Sequence, residues 1–125
     1  MVVRMNSVPA GLDYSTTRVS EKGLYTVSYT APGGEVPVNQ IHRWTLHLES
    51  QAGRPVEGAQ ITVDGDMPQH GHGMPTRPRV TKELGNGDYL VEGLKFQMGG
   101  WWVMDFIISE NGQQDVVHFN ILLRQ

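Results

Sequence analysis

Two histidines and two methionines fall within eight residues of the run Met67-Pro68-Gln69-His70-Gly71-His72-Gly73-Met74-Pro75. Imidazole nitrogen and thioether sulfur together suit copper, whereas a thioether is a poor ligand for calcium, magnesium or manganese. The interleaved glycines free the backbone to turn so that side chains can converge, and the prolines stiffen both margins. One residue separates His70 from His72, and in an extended segment such residues project to the same side, within reach of one ion. The pattern points to a copper site in a loop. The plain alternative is a glycine-rich surface loop with two solvated histidines and two methionines packed on the edge of the domain.

Other chemistries find less support. With no cysteine, the chain has no disulfides, zinc ribbons, thiolate copper sites or cysteine nucleophiles. Cupin-type metal sites also open on His-x-His but need a glutamate a few residues on. Residues 75–78 instead read Pro-Thr-Arg-Pro, and the next acidic residue is Glu83. Asp64 and Asp66 belong to a turn-like Asp-Gly-Asp, where caps and solvation account for them. Neither a Gly-x-Ser-x-Gly elbow nor a phosphate loop occurs, so an enzyme is not expected. The net charge of -3 and the lack of a Lys/Arg cluster give no reason to expect nucleic acid. No apolar run approaches the roughly 18–20 residues of a membrane span, and the first residues carry no apolar signal core.

A loop needs a frame, and 125 residues suffice for one hydrophobic core. Residues 1–22 lack period and read as a loosely ordered N-terminal segment, leaving 23–125 as a single domain. Short alternating runs dominate that domain. In 40–49, Trp44, Leu46 and Leu48 face one way while Arg43, Thr45 and His47 face the other. Similar runs cover 23–31, 58–64, 79–84, 88–94, 101–109 and 115–123. Turn signals fall between them, notably Gly85-Asn86-Gly87 and Glu110-Asn111-Gly112. About seven antiparallel strands at this spacing predict an all-β, immunoglobulin-like β-sandwich, with an eight-stranded barrel as the alternative.

Counting strand reversals then places the loops. If 58–64 runs up into the histidine loop, 79–84 runs down and 88–94 returns, so Lys95–Gly100 lies at the same end. Met98 thereby joins Met67, His70, His72 and Met74, and His42 is expected at that end too. In the alternation, Trp102 and Met104 are core residues, whereas Trp101 faces outward as a candidate partner contact. His47 and His118 point to outer faces and are expected to be solvated. His42 is read as structural, with a possible ligand or supporting role. Met67, Met74 and Met98 can each be ligand or filler.

Met67-Pro68, then His70-Gly71-His72-Gly73-Met74-Pro75, then Gly87-Asp88-Tyr89, then Phe96-Gln97-Met98-Gly99-Gly100-Trp101-Trp102 resembles the YtkA-like domain, a family related to FixH-like proteins. The resemblance covers roughly residues 40–123. It implies a small exported or membrane-anchored bacterial β-sandwich, linked to copper handling or cytochrome oxidase assembly. Carried over by position, it points to Met67, His72, Met74 and Met98 as site residues. His70 is a departure, standing where other members often have an apolar residue or methionine. The expectation is an extracytoplasmic copper-binding carrier or sensor that passes Cu(I) or Cu(II) to a protein partner. The competing expectation is a metal-free interaction module of a membrane or oxidase complex.

Overall fold

The computed structural model describes residues 8–124. Its regular elements are nine strands and one 3-10 turn at Pro32–Gly34. In chain order the strands are β1 (Thr17–Val19), β2 (Tyr25–Thr30), β3 (His42–Ser50), β4 (Gln60–Met67), β5 (His72–Gly73), β6 (Arg79–Gly85), β7 (Asp88–Leu94), β8 (Gly100–Glu110) and β9 (Gln113–Leu123). They form two antiparallel sheets, ordered β1-β2-β3-β7-β6 and β5-β4-β8-β9. This is the sandwich that the alternation predicts. Both sheets have free edges, so the barrel alternative falls. No helix among the described residues is long and apolar enough to cross a membrane.

The inward residues of each strand make the core. Trp44, Leu46 and Leu48 of β3 are fully buried, as are Trp102, Met104, Phe106 and Ile108 of β8. Aromatic contacts tie the sheets together: Tyr29 stacks on Trp44 with centroids 4.1 Å apart, and Trp44 meets Phe106 at 6.4 Å. Asn86 and Asn111, each followed by glycine, take positive φ at the β6–β7 and β8–β9 hairpins. The twist of paired strands favours that turn type. A strict period of two would turn Leu94 outward from the phase of Tyr89 and Val91. Instead the ladder shifts between His42↔Leu94 and Trp44↔Val91, with Gly93 at φ +83°. The extra residue of this bulge returns Leu94 to the core.

The structure corrects the N-terminal boundary. Residues 17–19, expected to be loose, form β1, pairing Thr17 with Ser28 and Val19 with Thr26. Three residues are too few to show a period. What secures them is distant: Glu21 N–H donates to the Val116 carbonyl, and Lys22 and Leu24 N–H donate to the Asp115 carboxylate. The part of that expectation falling on residues 1–7 lies outside the described residues.

His47 and His118 also differ from expectation. Each imidazole is held between two carboxylates. His47 Nδ1 lies 2.7 Å from Asp88 and its Nε2 2.8 Å from Glu49. His118 Nδ1 lies 2.6 Å from Asp105, and its Nε2 meets Glu21. The two acids approach opposite nitrogens of one ring, so neither trio can converge on a metal. Burial alone would lower both pKa values, but the paired carboxylates outweigh it through hydrogen bonds and charge, and the net shift is upward. A raised folded pKa stabilises the fold fully below the unfolded value of about 6.5, and that contribution is lost as pH rises through the folded value. The thermal midpoint should therefore decline from about pH 6 toward pH 8, modestly because the pairs are partly exposed. Thermal melts of a His47→Gln, His118→Gln double variant should show a flatter profile. An equally steep decline in that variant would assign it to other groups.

Candidate metal centre

The histidine loop is a hairpin. After β4, the Met67 carbonyl accepts hydrogen bonds from the N–H of His70 at 3.0 Å and of Gly71 at 2.9 Å. The chain returns as β5, with Met67 opposite His72 and Asp66 opposite Gly73. Residues directly opposite in an antiparallel pair project to the same face, with Cβ atoms about 4.5–5.5 Å apart. Met67 is fully buried, so His72 leans toward the inner face as well. Its ring lies 6.1 Å from that of Trp102, edge to face. His70 stays in the turn, exposed, with its ring 5.7 Å from that of His72 and tilted by 27°. Two imidazoles sharing an ion at metal–nitrogen distances of about 2 Å have centroids no more than about 6 Å apart. The separation suits a shared ion.

The proton on His72 follows from its partner. Nδ1 lies 3.0 Å from the Gly73 carbonyl oxygen. A carbonyl only accepts, so Nδ1 carries the hydrogen, and Nε2 keeps the lone pair that a metal would need. The side-chain amide of Gln97 donates to the same carbonyl at 3.0 Å.

Three thioethers lie around this pair in different settings. Met67 is wholly enclosed, its methyl 2.8 Å from where a Cβ on Gly100 would sit, so in this state it serves the core. Met74 is half-buried. Its methyl lies 2.3 Å, and Met104 Sδ 2.8 Å, from where a Cβ on Gly65 would sit. Gly65 thus leaves the gap through which Met74 reaches the buried Met104. Met98 is half-buried against the core, and its carbonyl accepts from Trp102 Nε1 at 3.0 Å.

The strand-reversal count places these loops correctly. Gln97 bonds Gly73, Met67 sits beneath Gly100, Asn39 N–H donates to the Phe96 carbonyl at 2.6 Å, and the His42 ring lies 5.5 Å from that of Phe96. His42 Nδ1 faces the Gln40 carbonyl at 2.9 Å, and its ring packs on Phe96, consistent with a structural part. Trp101 is less free than expected: it is half-buried and donates from Nε1 to Asn120 at 3.0 Å. Asp64 and Asp66 are exposed on the outward phase of β4. Among the described residues no group of three or more His, Asp or Glu could hold a metal, and the thioethers are the soft donors nearest the histidine pair in the sequence.

Sequence reasoning missed Gln97 and the meeting of Met74 with Met104. It also could not foresee four buried polar atoms without partners, His42 Nε2, Trp44 Nε1, Gln69 Nε2 and Gln97 Oε1.

No curated protein and no solved structure matches the chain. The model of the YtkA-like family matches residues 25–106, from the start of β2 through the histidine hairpin and into β8. On that match, which takes in strands of both sheets and all five candidate ligands, the chain belongs to the YtkA-like family.

Proposed function

We propose that this domain binds one copper ion at the histidine-loop end and serves as an extracytoplasmic carrier or sensor. The supporting observation is the His70–His72 pair, 5.7 Å apart at the surface, with half-buried Met74 and Met98 at the same end. Two imidazoles suit Cu(II), and an imidazole with thioether suits Cu(I), so the set can follow the ion through both oxidation states. An exposed His70 gives a partner protein a place to take the ion. The extracytoplasmic setting rests on the family resemblance, and the absence of cysteine is compatible with it.

Titration of the metal-free protein with Cu(II), Cu(I) and Zn(II) tests this. Saturation at one copper per chain is expected. Cu(II) should also quench tryptophan emission, because the Trp102 ring lies 6.1 Å from that of His72. Zinc, which is d¹⁰ and redox-inert, should bind more weakly and leave emission largely intact. A protein that takes up no copper in either state favours the second reading, a metal-free interaction module. One observation speaks for that reading: Ile41, beside His42 at the same end, is 70% exposed, an unusual position for a large aliphatic residue unless a partner covers it.

A further inference from the structure

We propose that Gln97 is a positioning residue for the candidate metal centre: it holds the Gly73 carbonyl so that this carbonyl locks His72 in its ligating tautomer. The inference rests on the copper reading for its function, but its geometry stands apart from any metal.

β5 is only two residues long, and beyond it the chain leaves through Pro75 and Pro78 toward β6 in the other sheet. A strand this short restrains its last carbonyl weakly. The Gly73 carbonyl has two lone pairs, and two donors occupy it. His72 Nδ1–H approaches at 3.0 Å and Gln97 Nε2–H at 3.0 Å. The two nitrogens are 3.4 Å apart. This is the longest of the three contacts, and with Nδ1 protonated both nitrogens direct their hydrogens to the carbonyl oxygen between them.

Removing Gln97 frees the carbonyl to rotate toward solvent. His72 Nδ1 would then lose its only acceptor, and the ring could carry its proton on Nε2, the nitrogen needed for the ion. Gln97 reaches this place from the 95–99 loop, which Trp102 pins through the Met98 carbonyl at 3.0 Å. Its own Oε1 is buried without a partner. The hydrogen bonds of the amide thus run from its donor side, toward the Gly73 oxygen. The rigid β8 end therefore sets the chemistry of a histidine on a two-residue strand.

Gln97→Met keeps length and removes the donor. In the metal-free protein at a pH where His72 is neutral, long-range ¹H–¹⁵N spectra should show His72 in the Nδ1–H form. In Q97M the Nε2–H form should become substantially populated. His42, whose Nδ1 faces the Gln40 carbonyl at 2.9 Å, should be unchanged and so reports an intact fold. Copper affinity should fall by about 10-fold to 100-fold, the usual effect of losing a residue that orients a ligand. In the unsubstituted protein, a Gln97 side-chain amide proton should be shifted downfield by its bond to Gly73, a readout that needs no variant. An unchanged His72 tautomer in Q97M, or a Gln97 amide with solvent-like shifts, overturns the inference even if copper affinity drops. A shifted tautomer in a protein that binds no copper leaves the role of Gln97 standing and removes the copper reading instead.

Discussion

Replacing His70 and His72 together with alanine is expected to lower copper affinity by more than about 100-fold, since even a residue that only orients a ligand is worth 10-fold to 100-fold. Both oxidation states should suffer. The methionines should divide them. Met74→Leu with Met98→Leu conserves volume, costs little stability and removes sulfur. It should weaken Cu(I) binding by about 10-fold or more and leave Cu(II) nearly unchanged, because thioether is the softer ligand. Preference for Cu(II) over Zn(II) alone decides nothing, as any nitrogen site shows it. Binding should also weaken in acid, where a protonated imidazole cannot ligate. Competition titrations of the two variants make the test. Unchanged affinity in the double histidine variant places the ion elsewhere or nowhere, and the interaction-module reading then becomes the better one. The structure adds a refinement: Met67→Leu should matter less than Met74→Leu, because Met67 is fully enclosed.

The largest expected effect on stability lies at the opposite end. Asp115 is buried at 3% exposure, and its carboxylate accepts from Ser20 Oγ at 2.6 Å, Lys22 N at 2.9 Å, Leu24 N at 3.2 Å and Val116 N at 2.8 Å. It joins the β1–β2 turn of one sheet to β9 of the other. Asp115→Ala strands several donors, each costing about 1–3 kcal/mol when left unpaired. A loss of about 3 kcal/mol is expected, lowering the thermal midpoint by roughly 10 °C. Asp115→Asn, which keeps one acceptor, should lose less. Burial pushes the Asp115 pKa up, yet the hydrogen bonds from Ser20 and the backbone amides overcome it and hold the carboxyl below its usual range. Its contribution is thus present above the unfolded value of about 3.9 and is lost as pH falls through the lower folded value. Calorimetry on both variants at neutral and acid pH checks the magnitude and the sign. An Asp115→Ala protein as stable as the parent would show that β1 contributes little to the sandwich.

The sandwich itself was legible in the order of residues. Trp44, Leu46 and Leu48, then Trp102, Met104, Phe106 and Ile108, alternate over enough positions for each strand to declare its buried face. Reversal counting then brought Met98 to the end that holds His72. Alternation is local and survives any tertiary arrangement, so a sequence states it without ambiguity. Elements too short for a period stayed hidden: β1 is secured by contacts to distant β9, and β5 is two residues of a hairpin with β4. Register also stayed hidden, and with it the bulge at Gly93 that turns Leu94 inward.

The site divides along the same line. Residue types alone named His70, His72 and the nearby methionines as copper-like ligands. Which of them meet depends on what lies opposite each across the sheet, a property of pairing rather than of spacing. Only the folded chain buried Met67 opposite His72, let Met74 reach Met104 over Gly65, and laid Gln97 on the Gly73 carbonyl. It likewise set His118 between Asp105 and Glu21, far apart in sequence, where a lone histidine had looked solvated. A sequence can declare the chemistry of its side chains, but register and crossover decide their neighbours, and neighbours decide which nitrogen holds a proton and which thioether is within reach.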